Sequence, residues 1–238
     1  MDPLAIAADV GLVAAFGGVL GMERRGAFQA MLAQPLVAVP ALAVVLGDPA
    51  TGLWLGALLQ LLWMSSVLFG ANVPPNETMA SLSIAGMVLM FGRHVGPVDH
   101  SICALAILLG APLALLGRWL DVRFDQINLA LAKRADAVVE EGHPDALGHL
   151  VLLGLARMFL ANAVVVGVAA LVGLMILTLV RPLLRDALLV ALGVVGSYVL
   201  PALGLAVALS LVRRRRGLAL AFAAFVAVVA LFGQERLS

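Results

Sequence analysis

The sequence predicts an all-α, polytopic membrane protein with discontinuous or re-entrant helices in the 34–92 region. Three observations carry that prediction. Of 238 residues, 63% are hydrophobic and 12% charged, whereas soluble domains are roughly 45–50% apolar. The apolar residues fall into long runs, and about 20 such residues cross a bilayer as a helix that satisfies its own backbone hydrogen bonds. Between 34 and 92, prolines and polar residues interrupt those runs at membrane depth. Irregular backbone is tolerated there only where it is buried in protein or lines a cavity. The short alternating segments of a β-barrel are missing.

The elements follow in order. The first apolar run, 3–22, has no basic residues before it and no clear A-x-A site after it, so it reads as a retained span rather than a signal peptide. The run at 30–47 is broken by Pro40, the next covers 52–72, and the run at 78–92 is short for a crossing. After 101–120 the pattern changes. Leu120, Phe124, Ile127, Leu131 and Val138 recur at helical spacing, with Asp121, Asp125, Asp136 and Glu140 opposite them. That is an amphipathic helix outside the bilayer core, ending near Gly142-His143-Pro144. Its mixed charges argue for packing on the bundle or on a partner rather than for an anionic-lipid anchor. Apolar runs at 150–180, 186–212 and 217–233 complete the chain. The whole of 1–238 is one integral membrane domain with an extramembrane amphipathic segment at about 118–149.

Arg213–Arg216, four consecutive arginines in a short loop, are cytoplasmic by the positive-inside rule. Arg24, Arg25, Arg181 and Arg185 form weaker clusters. A single crossing by 186–212 puts Arg181 and Arg185 on the opposite face from Arg213–Arg216; a bend at Pro201 puts them on the same face. A net charge of +1 gives nucleic acid nothing to bind. Cys103, the single cysteine, lies in an apolar run as a packing residue. His94, His100, His143 and His149 lie at segment ends or in loops, with no metal-site spacing. No Walker loop, nucleophile elbow or Gly-rich phosphate cradle is present. No cofactor is expected. Asn76-Glu77-Thr78 matches a glycosylation triplet, a pattern that arises easily by chance.

Polar side chains at membrane depth are costly, at least ~2.5 kcal/mol for a charge at a helix centre, and usually face a cavity or one another. Gly52, Gly56, Gln60 and Met64 recur every four residues, placing two glycines and an amide on one helix face. Small residues at that spacing admit a neighbouring helix, so Gln60 suits both interhelical glue and a ligand contact. The second candidate is GANVPPNETMAS, residues 70–81. Pro74 and Pro75 cannot continue a helix, and Asn76 is placed to cap one starting at Glu77. Amide and carboxylate groups there supply the donors and acceptors that a polyol needs; a loop in water is the plainer alternative. Asn162 lies deeper in its run, as interhelical glue, and Arg157 snorkels to the interface.

Residues 34–81 resemble the membrane subunit IIC of the mannose–fructose–sorbose family of the bacterial phosphoenolpyruvate-dependent sugar phosphotransferase system. The resemblance rests on Pro35-Leu36, Leu46-Gly47-Asp48, Thr51-Gly52, Gly70-Ala71 and Pro75-Asn76 in matching order and spacing. It implies a sugar-translocating subunit in the bacterial cytoplasmic (inner) membrane. Its partners would be the membrane subunit IID and the cytoplasmic IIA and IIB proteins, or a fused IIAB, in an oligomeric complex. IIB would phosphorylate the incoming hexose or amino sugar at the inner mouth, and this chain would carry no phosphorylated residue. The resemblance implies sugar contacts at Gln60 and Asn76, where the family has an acidic residue and an Asp, with Asn72 and Glu77 beside them. Pro74, Pro75, Gly52, Gly56 and Gly70 would shape the site. Ser66 and Leu68 stand where the family often has Trp and Asn. These departures motivate an alternative: a secondary transporter or a transport-inactive scaffold or regulatory subunit.

Overall fold

The computed structural model describes residues 2–64, 73–142, 145, 147–211 and 219. The Arg213–Arg216 cluster, Gly70, Asn72 and all but one residue of the 217–233 run lie outside them. Every element among the described residues is helical.

Helix α1 (Pro3–Arg25) starts where the Asp2 side chain accepts from the Leu4 N–H and Pro3 takes the first helical position, two local signals for a helix start. Helices α2 (Pro35–Leu46) and α3 (Pro49–Trp63) are 12 and 15 residues long, about 18 and 22 Å, each short of a ~30 Å hydrocarbon core. They fold back on one another through Gly47 and Asp48. Gly47 sits at φ +87°, and the Asp48 carboxylate accepts from the Thr51 N–H. The Leu-Gly-Asp and Thr-Gly pairs are therefore the turn of a helical hairpin. A side chain at Gly47 would meet the left-handed penalty of about 1–2 kcal/mol. Gly47→Ala is expected to lower stability by about that amount, measurable as a fall in the thermal unfolding midpoint in detergent.

The hairpin closes tightly because α3 has no side chains where α2 approaches. A Cβ at Gly52 would collide with Ala43, and one at Gly56 would lie 2.8 Å from Pro40 Cδ and 2.9 Å from the Pro35 carbonyl oxygen. Pro40, which breaks the α2 ladder, turns its ring into the space that Gly56 leaves.

Helix α4 (Glu77–His94) is the centre of the molecule. Its 18 residues rise about 27 Å, so the short apolar run of 78–92 lies within a nearly full-length helix. From Thr78 to Phe91 every residue is buried, among α1, α2, α3 and the helices that follow. A helix apolar all round belongs in such a position. Its charged ends match the helix dipole, with Glu77 in the first turn and Arg93 and His94 in the last.

Helix α5 (His100–Gly110) leads through Ala111 and Pro112 into α6 (Leu113–Glu140). The amphipathic helix thus begins at Leu113 rather than near 118, because Pro112 can start a helix but not continue the preceding one. Its end near Gly142, at φ +82°, agrees with the sequence. The expectation that Asp121 faces away from the bundle is overturned: it is 6% exposed and pairs with α1. Helix α7 (Leu147–Val180) runs 34 residues, about 51 Å, and packs along α1 and α4. Gly17 and Gly18 of α1 admit Val166 and Phe159, and Gly21 admits Asn162, whose Nδ2 donates to the Met158 carbonyl. Asn162 therefore packs against α1 at Gly21, but its hydrogen bond stays within α7 rather than bridging the two helices as interhelical glue would.

Helix α8 (Asp186–Val194), a π-helical turn at Val195–Val199 and α9 (Leu200–Ser210) follow one another without a return. They form one apolar stretch of 25 residues. Pro201 is accommodated at the start of α9, so 186–210 runs on without turning back and Arg181 lies at the end opposite the chain's exit from α9. With α1, α5–α6 and α7, this gives four helical stretches among the described residues long and apolar enough to cross a membrane.

Ion pairs clamp α1 to α4 at both ends. At one end Asp9, 3% exposed, receives His94 Nε2 at 2.7 Å and Arg93 Nη1 at 3.2 Å. His94 therefore has an acidic partner that spacing along the chain did not reveal, and Asp9 is the intramembrane charge that the sequence reading passed over. At the other end Arg24 of α1 meets Glu77 of α4.

Candidate functional site

The Arg24 end gathers most of the predicted site. Residues 73–76 are non-helical, and α4 begins at Glu77 with Asn76 as its cap. Pro74 and Pro75 account for the break. Asn76 is 2% exposed, so this is an interior helix start and not a loop in water. Its Oδ1 accepts from the Met79 N–H at 3.0 Å, its Nδ2 donates to Asp121 Oδ2 at 3.2 Å, and its backbone N–H donates to the Ala114 carbonyl at 2.9 Å. Gly117 of α6 lies against the Asn76 side chain, where a Cβ would come within 2.5 Å of Asn76 Cβ.

Arg24 ties this start to its surroundings. Nη1 donates to Asp121 Oδ2 at 2.8 Å, Nη2 to the Pro75 carbonyl and to Glu77 Oε2 at 3.3 Å each, and Nε to Glu77 Oε1 at 3.4 Å. The three charged side chains are 8–18% exposed. Arg25 adds a contact to Asp121 at 3.6 Å and one to Asp125 at 2.9 Å. Glu77, beside the predicted contacts, is thus an ion-pair partner of Arg24.

Gln60 lies on the neighbouring hairpin. Its Oε1 accepts from the Leu36 N–H at 3.2 Å, and its Nε2 donates to Gln34 Oε1 at 3.0 Å. It thereby satisfies a free N–H in the first turn of α2 and joins the open ends of the hairpin. One turn on, the Trp63 Nε1 is buried without a partner among the described residues. Glu23 organises the segment between α1 and α2: its carboxylate accepts from the Leu32 and Ala33 N–H groups at 3.3 and 2.8 Å, and the Ala33 carbonyl accepts from the Thr78 hydroxyl at 3.0 Å. Phe28, Gln29 and Met31 in that segment adopt positive φ. For bulky residues this is an uncommon conformation that the surrounding structure must enforce.

Glu23, Arg24, Gln34, Glu77 and Thr78 line a cavity of about 110 Å³. A water occupies about 30 Å³ in the liquid, so this space suits a few waters. Pro74, Pro75, Asn76 and Glu77 are brought together with Arg24 and Asp121. Gln60, Gly52 and Gly56 sit on the adjoining hairpin, and Asn72 and Gly70 lie outside the described residues. Sequence reasoning missed Arg24, Asp121, Glu23 and Gln34. The signal for Asp121 was its position one residue past an apolar run, where a carboxylate needs a partner.

A multi-pass helical membrane protein with a buried polar cluster at an interior helix start is the class that this fold and site define. The chain belongs to the family described as the PTS system sorbose-specific IIC component, whose model matches residues 5–234.

Among curated relatives, the sorbose-specific EIIC component of the PTS of Klebsiella pneumoniae is 30% identical over 123 residues, covering 48% of this chain and 43% of that protein. The mannose-specific EIIC component of Escherichia coli K12 is 28% identical over 135 residues, covering 56% of this chain and 48% of that protein. The chain thus spans about half the length of the curated relatives it matches. Two solved structures share the fold. One, described only as a membrane protein, has a TM-score of 0.66 at 23% identity, covering 98% of this chain and 88% of that one. The other is the mannose transporter ManYZ in complex with microcin E492, with a TM-score of 0.57 at 24% identity, covering 95% and 87%.

Proposed function

We propose that the chain is the sugar-translocating IIC subunit of a phosphotransferase system in the bacterial cytoplasmic membrane. It binds a hexose or amino sugar beside Asn76 and Gln60 and passes it inward for phosphorylation by IIB. IID is its membrane partner, IIA and IIB its cytoplasmic ones. The observation that carries this reading, beside family membership, is the interior helix start at Asn76, an amide buried among charged groups at a point where the backbone leaves the helix. Such a start offers N–H donors and a neutral donor–acceptor pair to sugar hydroxyls. The Arg24 end, followed by Arg213–Arg216 after α9, faces the cytoplasm under the positive-inside rule. The α2–α3 hairpin then enters and leaves from that side as a re-entrant element. On this reading a sugar leaving inward passes the Arg24 contacts to the Pro75 carbonyl and to Glu77.

A second reading, a transport-inactive scaffold, is favoured by one observation: Asn76 and Gln60 already spend their polar atoms on protein partners. Asn76→Ala separates the two. The lost cap costs about 1 kcal/mol under either reading. As a translocating subunit, the variant is expected to lose most uptake of labelled D-mannose or L-sorbose by cells expressing IID, IIA and IIB, while still co-purifying with IID. Uptake unchanged by Asn76→Ala favours the scaffold reading, and uptake persisting without IIB removes the phosphotransferase assignment.

A further inference from the structure

The cavity at the opposite end of the hairpin is unused by the site described above. Just past the Gly47–Asp48 turn, a recess lies between the first turns of α3 and the start of α5. The recess has a volume of about 330 Å³, at the lower end of the ~300–1,000 Å³ usual for small-molecule pockets. Thr51 and Trp54 on the first turns of α3 form one wall, and Val98, Asp99, His100 and Cys103 from the start of α5 form the other.

The lining is an apolar plate with polar groups around it. Trp54 is half-buried and holds its ring 5.0 Å from that of His100, tilted by 57°. Asp99 spends Oδ1 on the Ser101 hydroxyl at 2.6 Å and the Ile102 N–H at 2.9 Å. Its Oδ2 has only a distant contact with Arg181, at 3.9 Å, and so remains open as an acceptor. Burial raises the Asp99 pKa, but the hydrogen bonds from Ser101 and Ile102 and the charge of Arg181 outweigh it and hold the carboxyl below its ordinary range. The Thr51 and His100 side chains also border the recess. A carboxylate acceptor, a hydroxyl and an imidazole around an indole suit a ring that is apolar on its C–H face and hydroxylated at its edge.

We propose that this recess is a polyol-binding subsite on the outer side, where Trp54 stacks against a sugar ring and Thr51, Asp99 and His100 take its hydroxyls before translocation. The proposal rests on the phosphotransferase reading for its orientation. Thr51 and Gln60 lie nine positions apart on α3, about 14 Å along its axis, so one helix links the two sites.

The test uses the complete complex with IID and the phosphocarriers, fed labelled D-mannose or L-sorbose. Trp54→Leu is expected to raise the KM for uptake roughly three- to tenfold with the maximal rate nearly unchanged, and Trp54→Phe, which restores an aromatic face, to recover most of it. Thr51→Val gives a smaller KM increase by a change that keeps size and shape. Unchanged KM in both Trp54→Leu and Thr51→Val, with uptake still sensitive to Asn76→Ala, overturns the subsite and leaves the transport function standing. A second readout needs no transport. In purified protein carrying Trp63→Phe and Trp119→Phe, Trp54 is the remaining indole, and its emission is expected to change saturably with either sugar, with or without Asn76→Ala. No saturable change overturns the proposal.

Discussion

Arg24→Ala is expected to destabilise the bundle by about 3 kcal/mol and to abolish uptake. The magnitude follows from what is left behind. Breaking a buried ion pair by removing one partner costs about 3–5 kcal/mol, because the other charge stays buried and uncompensated. Here one guanidinium serves two carboxylates and a carbonyl: Asp121 at 2.8 Å, Glu77 at 3.3 Å and the Pro75 oxygen at 3.3 Å. Arg25 still reaches Asp121 at 3.6 Å, which places the loss at the lower end of the range. Thermal unfolding of the variant in detergent checks the stability. A cycle with Asp121→Asn checks the mechanism: the double variant should lose clearly less than the two single losses together. Additive losses would mean that Arg24 and Asp121 do not act as a pair. Arg24→Lys should recover only part of the stability, since an ammonium lacks the planar fork that meets Asp121 and Glu77 together.

Gly56→Val is expected to force α2 and α3 apart, at a cost of at least about 1–3 kcal/mol. A Cβ at Gly56 would lie 2.9 Å from the Pro35 oxygen and 2.8 Å from the Pro40 ring, and neither a backbone carbonyl nor a proline ring can turn aside. The strain falls one turn from Gln60, so the Gln60–Gln34 bond should be lost with it. The checks are a lower unfolding midpoint and reduced uptake, with Gly56→Ala intermediate. A Gly56→Val protein of native stability would show that the hairpin closes through some other contact.

Much of the helix punctuation was legible in the sequence. Gly52, Gly56 and Gln60 at intervals of four marked the α3 face that meets α2. Pro75-Asn76 marked the start of α4, and Gly142 the end of α6. Charge pairing was not legible. Arg24 served only as an orientation marker, and Asp121 was assigned to a solvated face. In the structure they meet across 97 positions, and His94 meets Asp9 across 85. The boundary at Pro112 was misread because the apolar pattern continues smoothly into α6 and hides the break.

The composition, the apolar runs and the capping residues were enough to establish a helical membrane protein with a helix starting just after Pro74-Pro75, because caps, prolines and glycines act through the sterics and hydrogen bonds of their own few neighbours. Which polar groups share a cavity was decided by packing. Antiparallel α1 and the interior helix α4, packed against one another, carry Arg24 to Glu77 at one end and Asp9 to His94 at the other. Such pairs depend on where whole helices settle, and that is set by many distant apolar contacts at once.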